Sequence, residues 1–274
     1  MVRVPGHNWQ KRLLAKAFDV AGRLPGSDPL LPPFSMRRFV GEAAWLHSAR
    51  DFRATGADFA QKLRADAGLT PEATVLDLGS GCGRLAVPLT RILAPRGRYI
   101  GLEISLPLVQ WCNQHISIRY RNFRFVHCDL YSALYNPQGS ENAASYRLPV
   151  ESGACDVIVA TSVFTHLLPV AAAHYLQECS RALAGGGRLF ATFFLLTDEL
   201  PQSGLPFNFE HEYSAEARVI DRDQPEAAVG YCSGWVLGQA EQCGLSLFSP
   251  IRWGAWAGRP YTYSGQDVVI LQKN

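Results

Sequence analysis

The sequence lacks three features that would place it in a specialised class of proteins. No apolar run approaches the roughly 20 residues of a membrane-spanning helix, and the start M-V-R-V-P-G-H-N-W-Q has no apolar core of a secretory signal. The seven cysteines are odd in number and include no C-x-x-C pair, which argues against a zinc site and predicts free thiols. The net charge of +2 is too small to indicate binding to nucleic acid or to an acidic membrane. These absences favour a globular enzyme of the cytoplasm.

What the chain does contain is a strand–glycine–helix stretch over residues 75–89, V-L-D-L-G-S-G-C-G-R-L-A-V-P-L. Three glycines at alternate positions, Gly79, Gly81 and Gly83, separate the strand pattern from the helix pattern. This order is typical of the first unit of a nucleotide-binding α/β fold. The glycines permit positive φ and leave no Cβ between backbone and ligand, and the helix N-terminus adds unpaired N–H groups. The alternative interpretation is a glycine-rich turn that binds nothing.

Two details of this stretch discriminate between ligands. A dinucleotide fingerprint reads G-x-G-x-x-G, whereas the third glycine here falls one residue early, which disfavours a nicotinamide-dependent dehydrogenase. The carboxylate of Asp77 would repel a pyrophosphate, but it suits an ammonium group such as that of S-adenosylmethionine. The motif D-x-G-x-G-x-G resembles the first motif of class I S-adenosylmethionine-dependent methyltransferases.

Two further acids follow the next two strand patterns. Glu103 ends R-Y-I-G-L-E, 20 residues beyond Gly83, which is the spacing of an acid that binds ribose hydroxyls. Asp129 follows F-R-F-V-H-C, and the resemblance implies that it receives the adenine amino group. The resemblance adds three more predicted cofactor contacts. They are Ile104 after the second strand pattern, Leu130 or its neighbour Tyr131 against the adenine ring, and Thr161 at the end of the fourth strand pattern, C-D-V-I-V-A-T.

The resemblance sharpens over two later runs. C-D-V-I-V-A-T-S-V-F-T-H-L-L and Y-L-Q-E-C-S-R-A-L-A-G-G-G-R-L-F-A-T-F-F-L-L are similar to a bacterial branch of small-molecule methyltransferases. The similarity covers about residues 75–196. It implies an α/β, Rossmann-like, seven-stranded, mostly parallel sheet with an antiparallel last strand, together with a helical N-terminal appendage and cap insertions. A helix is predicted over 170–183, ended by the glycines at 185–187.

The pattern divides the chain into two parts. Residues 1–70 are predicted to form a helical lid or appendage, and 71–274 the S-adenosylmethionine-binding domain, with insertions at about 132–153 and 197–230. The first part contains a basic amphipathic helix pattern over 9–24. We expect this helix to pack on its own domain, and a weak peripheral contact with a membrane is the alternative.

His166 is the candidate general base because it follows the fourth strand, where it should face the transferred methyl group. The alternative is a structural histidine that caps the next helix or packs against the cofactor, and His211 in the second insertion could then serve instead. Metal assistance is not expected, because residues 160–162 read A-T-S where metal-dependent catechol-type enzymes carry an acid. The same region lacks the N/D-P-P-Y/F motif of base-modifying DNA enzymes, so nucleic acid is not the expected substrate.

The sequence therefore predicts metal-independent transfer of a methyl group from S-adenosylmethionine to an O, N or C nucleophile of a small molecule. A non-catalytic S-adenosylmethionine-binding module and an aminopropyltransferase-like enzyme on the same fold remain alternatives. The predicted acceptor cap is aromatic, which suits a sugar, an aromatic ring or a lipid-like metabolite equally. Its aromatic residues are Trp45, Tyr213, Trp253, Trp256 and Tyr261.

Overall fold

The computed structural model describes residues 28–37, 49–197, 207–259 and 262–274. The helix predicted over 9–24, Trp45 and Tyr261 lie outside the described residues. In the described part of the chain, no helix is both long and apolar enough to cross a membrane.

A twisted sheet of ten described strands forms the centre of the molecule. The strands are β1 (Thr74–Leu78), β2 (Arg98–Glu103), β3 (Phe123–His127), β4 (Cys155–Ala160), β5 (Leu183–Leu196), β6 (His211–Ser214), β7 (Ala217–Val219), β8 (Val229–Cys232), β9 (Leu245–Leu247) and β10 (Asp267–Lys273). Seven of them lie in the order β3-β2-β1-β4-β5-β10-β9, and β1 to β5 are parallel. The last strand, β10, is antiparallel to both of its neighbours, β5 and β9. The predicted seven-stranded Rossmann-like sheet is confirmed.

Helices cover this sheet on both faces. They are α1 (Phe34–Arg37), α2 (Ala49–Asp66), α3 (Ala86–Leu89), α4 (Leu106–Cys112), α5 (Pro169–Ala182) and α6 (Ser233–Gln242). Neighbouring residues of β1 show how the two faces differ, because Val75 and Leu76 are both fully buried but belong to separate core clusters. Strands buried on both faces need continuous apolar sequence, which explains the unbroken run in β4.

Helix α2 packs directly on the glycine turn that follows β1. It buries Phe52, Gly56, Ala60 and Leu63, which recur at helical spacing on one face. A Cβ at Gly56 would lie 2.2 Å from the backbone oxygen of Arg84, so only glycine permits this close approach. The described part of this helix runs from Ala49 to Asp66.

The glycines at 185–187 do not end the helix before them, contrary to the sequence-based expectation. Helix α5 ends at Ala182, Leu183 is already extended, and the glycines form the irregular first part of β5. The register between β4 and β5 shifts at this point, and Gly186 has φ of +76°. The glycines therefore form a bulge at the start of the strand, where a positive φ is needed for the irregular strand and not for the end of a helix.

Strand β5 is long because it pairs with two different strands, one after the other, along the same edge. It pairs with β10 up to Phe193, and from Phe194 it pairs with β8, the first strand of the β8-β7-β6 meander. The buried carboxylate of Asp267 lies at this branch, where it accepts hydrogen bonds from the backbone N–H of Leu195 at 2.9 Å and of Gly254 at 2.7 Å. These two backbone N–H groups would otherwise lack an acceptor at the point where the sheet branches. We call the meander and the turn Pro225–Ala227 the cap.

Candidate active site

The three glycines after β1 all have positive φ, of +69°, +55° and +82° at Gly79, Gly81 and Gly83. A Cβ at Gly79 would lie 2.9 Å from Val163, and one at Gly83 would lie 2.6 Å from Ile116. A Cβ at Gly81 would meet no atom within 4 Å, because this residue faces an open cavity. Two of the glycines are therefore required by packing, and the middle one leaves room for a ligand against the backbone.

The cavity has a volume of ≈ 2240 Å³ and runs from the glycine turn along the carboxyl ends of the parallel strands to the cap. Sites for one small ligand typically have about 300–1,000 Å³, so this cavity can hold two molecules side by side. We call one end the glycine-turn half and the other the cap half. The glycine-turn half is defined by Asp77, Gly81, Arg84 and Glu103, and the cap half by Thr192, Phe194, Phe207, Trp256 and Gln266.

The structure brings most of the predicted site residues to this cavity. Those that line it are Asp77, Gly79, Gly81, Glu103, Ile104, Leu130, Thr161 and His166. Those that are not among the lining residues are Gly83, Asp129 and His211.

Asp77 is buried at the end of β1, where it accepts a hydrogen bond from the hydroxyl of Tyr99. Burial raises its pKa to about 7, against the opposing effects of the Tyr99 hydrogen bond and the nearby Arg84 guanidinium. The carboxyl is therefore poised between its two protonation states near neutral pH. Arg84, which the sequence analysis did not select, places a positive charge beside it on the same wall. A carboxylate next to a guanidinium complements the two charged groups of an amino acid, because the carboxylate can bind the ammonium group and the guanidinium can bind the carboxylate.

Glu103 is held rigidly at the end of β2. One carboxylate oxygen accepts the N–H of Gly81 and the other accepts the N–H of Ser105, each at 2.8 Å. Burial raises its pKa, and these backbone hydrogen bonds oppose that rise. Each oxygen has a second lone pair, so the fixed carboxylate can still accept a pair of ligand hydroxyls.

Asp129, for which the resemblance implies a contact with adenine, is not among the cavity-lining residues. Its carboxylate accepts hydrogen bonds from the Ser140 hydroxyl at 2.7 Å and the Asn136 amide at 3.4 Å. The Ser140 bond is the main cause that lowers the pKa of this carboxyl. The acid thus anchors the loop that follows β3, while the neighbouring Leu130 is buried against the cavity.

A polar cluster at the ends of β4 and β5 was also missed by the sequence analysis. Ser162 has φ of +57° and is the non-glycine residue with positive φ in the described part of the chain. Its N–H donates to the Thr192 hydroxyl at 2.7 Å, and its own hydroxyl donates to the side-chain oxygen of Gln266 at 3.0 Å. Strained backbone of this kind concentrates at functional sites, and here it lies beside Thr161 on the cavity wall.

His166 lies where three segments meet. Its Nδ1 is 2.9 Å from the backbone oxygen of Glu226 in the cap, and because a carbonyl only accepts, Nδ1 carries the proton. Its Nε2 is then the basic nitrogen, 3.4 Å from the hydroxyl of Tyr135, which belongs to the loop after β3. Burial lowers the pKa of the imidazole, so the neutral form dominates near neutral pH.

His211 lies apart from this site. It begins β6, opposite Val219 of β7, at the outer edge of the cap. Among the described residues, no three histidine, cysteine, aspartate or glutamate side chains lie close enough together to hold a metal ion.

Comparisons with known proteins agree with this arrangement. The sequence profile of a family described as "Methyltransferase domain" matches residues 76–191, which contain the glycine turn, Glu103 and His166. The PH0226 protein from Pyrococcus horikoshii OT3 is 14% identical, with a TM-score of 0.55 over 82% of this chain and 92% of that chain.

Two further solved structures share the fold at low identity. The 1,6-didemethyltoxoflavin-N1-methyltransferase of Burkholderia thailandensis is 17% identical, with a TM-score of 0.51 over 81% of this chain and 79% of that chain. Its crystal contains 1,6-didemethyltoxoflavin and S-adenosylhomocysteine. The pyocyanin biosynthetic protein PhzM is 13% identical, with a TM-score of 0.54 over 97% of this chain and 68% of that chain.

Proposed function

We propose that this chain is a class I S-adenosylmethionine-dependent methyltransferase, because residues 76–191 match a methyltransferase domain. It would methylate an O, N or C nucleophile of a small molecule without the help of a metal ion. The observation that carries the proposal is one cavity lined by Asp77, Arg84 and Glu103 at one end and by a neutral histidine and aromatic rings towards the other. S-adenosylmethionine, when bound, supplies a methyl group that is already activated by a positively charged sulfur.

The glycine-turn half would hold the cofactor through groups that are already in place. The Asp77 carboxylate would receive the ammonium group, the Arg84 guanidinium the carboxylate, and Glu103 the two ribose hydroxyls. The missing side chain at Gly81 would let the methionine part lie against the backbone. Charge-assisted hydrogen bonds of this kind are the strong ones in binding sites.

The adenine ring would lie against Ile104 and Leu130, which are apolar and line the cavity. We assign Asp129 a supporting role here, since its carboxylate holds the loop that forms this wall through Ser140 and Asn136. Thr161 would border the methionine part from the end of β4.

His166 would accept the proton of an O or N nucleophile. The Glu226 carbonyl fixes the tautomer with the proton on Nδ1, which leaves the lone pair of Nε2 available. The lowered pKa keeps that lone pair free of a proton at neutral pH. No acid follows β4 to bind a metal there, because Thr161 and Ser162 occupy its end, so the imidazole is the group that we propose as base.

Three segments would enclose a small acceptor. Phe34, Arg37 and Phe59 line the cavity from the part before residue 70, which we propose as a lid on the domain formed by 71–274. The insertion at about 132–153 adds Tyr135, and the insertion at about 197–230 adds Phe207 together with Tyr213 and Glu226 of the cap. Enclosure on this scale suits a metabolite rather than a nucleic acid duplex, and the Burkholderia enzyme with its bound 1,6-didemethyltoxoflavin supports this choice. The seven free cysteines suit the reducing cytoplasm.

Calorimetric titration with S-adenosylhomocysteine and, separately, with NAD tests the proposed cofactor site. We expect S-adenosylhomocysteine to bind with one site per chain and NAD to give no measurable heat, because Asp77 repels a pyrophosphate. Binding of NAD in preference to S-adenosylhomocysteine would contradict the proposal.

A further inference from the structure

We propose that Gln266 selects the acceptor: its side-chain amide donates a hydrogen bond to an oxygen atom carried by a flat, largely apolar acceptor in the cap half. This inference rests on the proposed function, since it concerns the molecule that receives the methyl group. Gln266 lies just before β10, far in sequence from the glycine turn, and it lines the same cavity.

The orientation of the Gln266 amide follows from its partners. The Thr192 hydroxyl oxygen accepts the N–H of Ser162, so its own proton is free to be donated to Gln266 Oε1 at 2.6 Å. The Ser162 hydroxyl donates to the same oxygen at 3.0 Å. With the amide oxygen turned into the cluster, both hydroxyl protons have an acceptor, and the Nε2 group has no hydrogen-bond partner among the described residues. An amide with an unused N–H₂ group at a cavity wall is a donor for a ligand.

The protein holds this donor fixed from several directions. Ser162 follows β4, Thr192 lies within β5 and Gln266 precedes β10. Ser162 adopts a left-handed backbone where it contacts the other two. The next residue, Asp267, is completely buried and is tied to Leu195 and Gly254. A donor fixed in advance loses little freedom when a ligand binds, which is how specificity is obtained from few contacts.

The surroundings of Gln266 indicate what else the acceptor must be. Phe194 and Trp256 are each 3% exposed, and their rings meet edge to face with centroids 5.3 Å apart. The indole N–H of Trp256 is already bonded to Asp267 at 2.6 Å, so this residue offers the cavity only its apolar surface. Phe207 packs on Phe194 with centroids 4.8 Å apart. An apolar ring system with one oxygen acceptor, such as a ketone, carboxylate or phenolate, fits this combination of surfaces.

The test uses two probes of nearly the same shape, acetophenone and α-methylstyrene, which differ by an oxygen in place of a methylene group. Their binding to the full chain saturated with S-adenosylhomocysteine is measured by ligand-observed NMR titration. We expect acetophenone to bind roughly 5- to 30-fold more tightly, which is the usual worth of one hydrogen bond.

Three variants make the test specific. Gln266→Leu should abolish the preference, and Gln266→Glu should reverse it, because a carboxylate would accept rather than donate. Gln242→Leu, on the exposed end of α6, is the matched control and should leave the preference unchanged. All three should bind S-adenosylhomocysteine with the affinity of the unchanged protein.

Equal affinity for the two probes, absence of binding of both, or a preference that survives in Gln266→Leu would overturn the role of Gln266. The proposed function stands in each of these cases if S-adenosylhomocysteine still binds. Failure of S-adenosylhomocysteine itself to bind would instead sink the proposed function.

Discussion

The two halves of the cavity are built in different ways. The glycine-turn half is local, because Asp77, the glycines and Glu103 come from two neighbouring strands and the turn between them. The cap half joins residues far apart in the chain, such as Ser162 and Gln266, which are separated by 104 positions. The first half combines features that suit the proposed cofactor. The second half is assembled from β5, the insertion at about 197–230 and the segment before β10, and we propose that it selects the acceptor.

Of the variants considered, Gly81→Val should have the largest effect on cofactor affinity, because it changes the glycine-turn half of the cavity. Gly81→Val places a branched side chain where the methionine part would lie, and we expect affinity for S-adenosylhomocysteine to fall by at least about 100-fold. Gly153→Val is the matched control, because Gly153 also has positive φ and open space around its Cβ position but lies on the surface. Equal loss of affinity in both variants would mean that backbone strain, and not the cavity, is responsible.

Removal of the proposed base should have the next largest effect, and it should separate chemistry from cofactor binding. We expect His166→Ala to cut turnover by about 10²–10⁴-fold and to leave S-adenosylhomocysteine affinity nearly intact. The rate of the unchanged protein should also fall at acid pH, with an apparent pKa below the ordinary histidine value, as Nε2 takes up a proton.

His174→Ala is the control for this experiment. His174 also bonds a backbone carbonyl, that of Tyr146, but it is not among the cavity-lining residues, so turnover should be preserved. If His166→Ala loses stability and cofactor affinity in step with activity, the residue is structural. If turnover barely changes while the acid limb persists, the base is another group.

Variants of Glu103 and Asp129 compare two strand-end acids, of which Glu103 lines the cavity and Asp129 does not. We expect Glu103→Ala to weaken S-adenosylmethionine binding by about 1.5–3 kcal/mol, through lost charge-assisted bonds to ribose. It should also lower the melting temperature somewhat, since Gly81 and Ser105 lose their acceptor. Asp129→Ala should weaken binding less, because its carboxylate is bonded to Ser140 within the loop. The opposite ranking in calorimetry would show that Asp129 turns towards the adenine ring when the cofactor binds.

The smallest expected effect is a pH dependence of cofactor affinity that comes from Asp77. With a pKa of about 7 in the ligand-free protein, Asp77 must release its proton to bind an ammonium group, so affinity should rise several-fold from pH 6 to pH 8. The ligand-free fold should gain stability as pH falls from 7 towards 4, because the folded carboxyl binds a proton that the unfolded one does not. Asp77→Asn should flatten the affinity profile measured by calorimetry, and a profile that stays unchanged would assign the titration to another group.

The parallel sheet and the wall around Glu103 could be predicted because their signals are local and repeated. The spacing from Gly83 to Glu103 reflects one βαβ unit, whose geometry is the same in many proteins. The position of Asp129 could not be predicted, since its direction depends on Ser140, which the sequence places in a loop without periodicity. The branch at Phe194 and the cluster around Gln266 were missed because they depend on pairing between distant segments.

The two histidines show the same difference between residues that the sheet positions and residues that an insertion positions. His166 was predicted from its place after β4, a position that the parallel sheet fixes at the cavity edge. His211 was chosen from an insertion whose fold the sequence does not reveal, and pairing of β6 with β7 places it at the edge of the cap. Sequence position therefore predicts which residues reach the cavity where the sheet dictates geometry, and it fails to do so within an insertion.

The most direct test of the account is transfer of a labelled methyl group from S-adenosylmethionine into fractionated cell metabolites. The unchanged protein is run beside Gly81→Val and His166→Ala. We expect label to enter a small-molecule fraction with the unchanged protein. Gly81→Val should abolish this transfer, and His166→Ala should reduce it strongly. Label found only in nucleic acid or protein, or no transfer by a protein that binds S-adenosylhomocysteine, would contradict the proposed methylation of a small molecule.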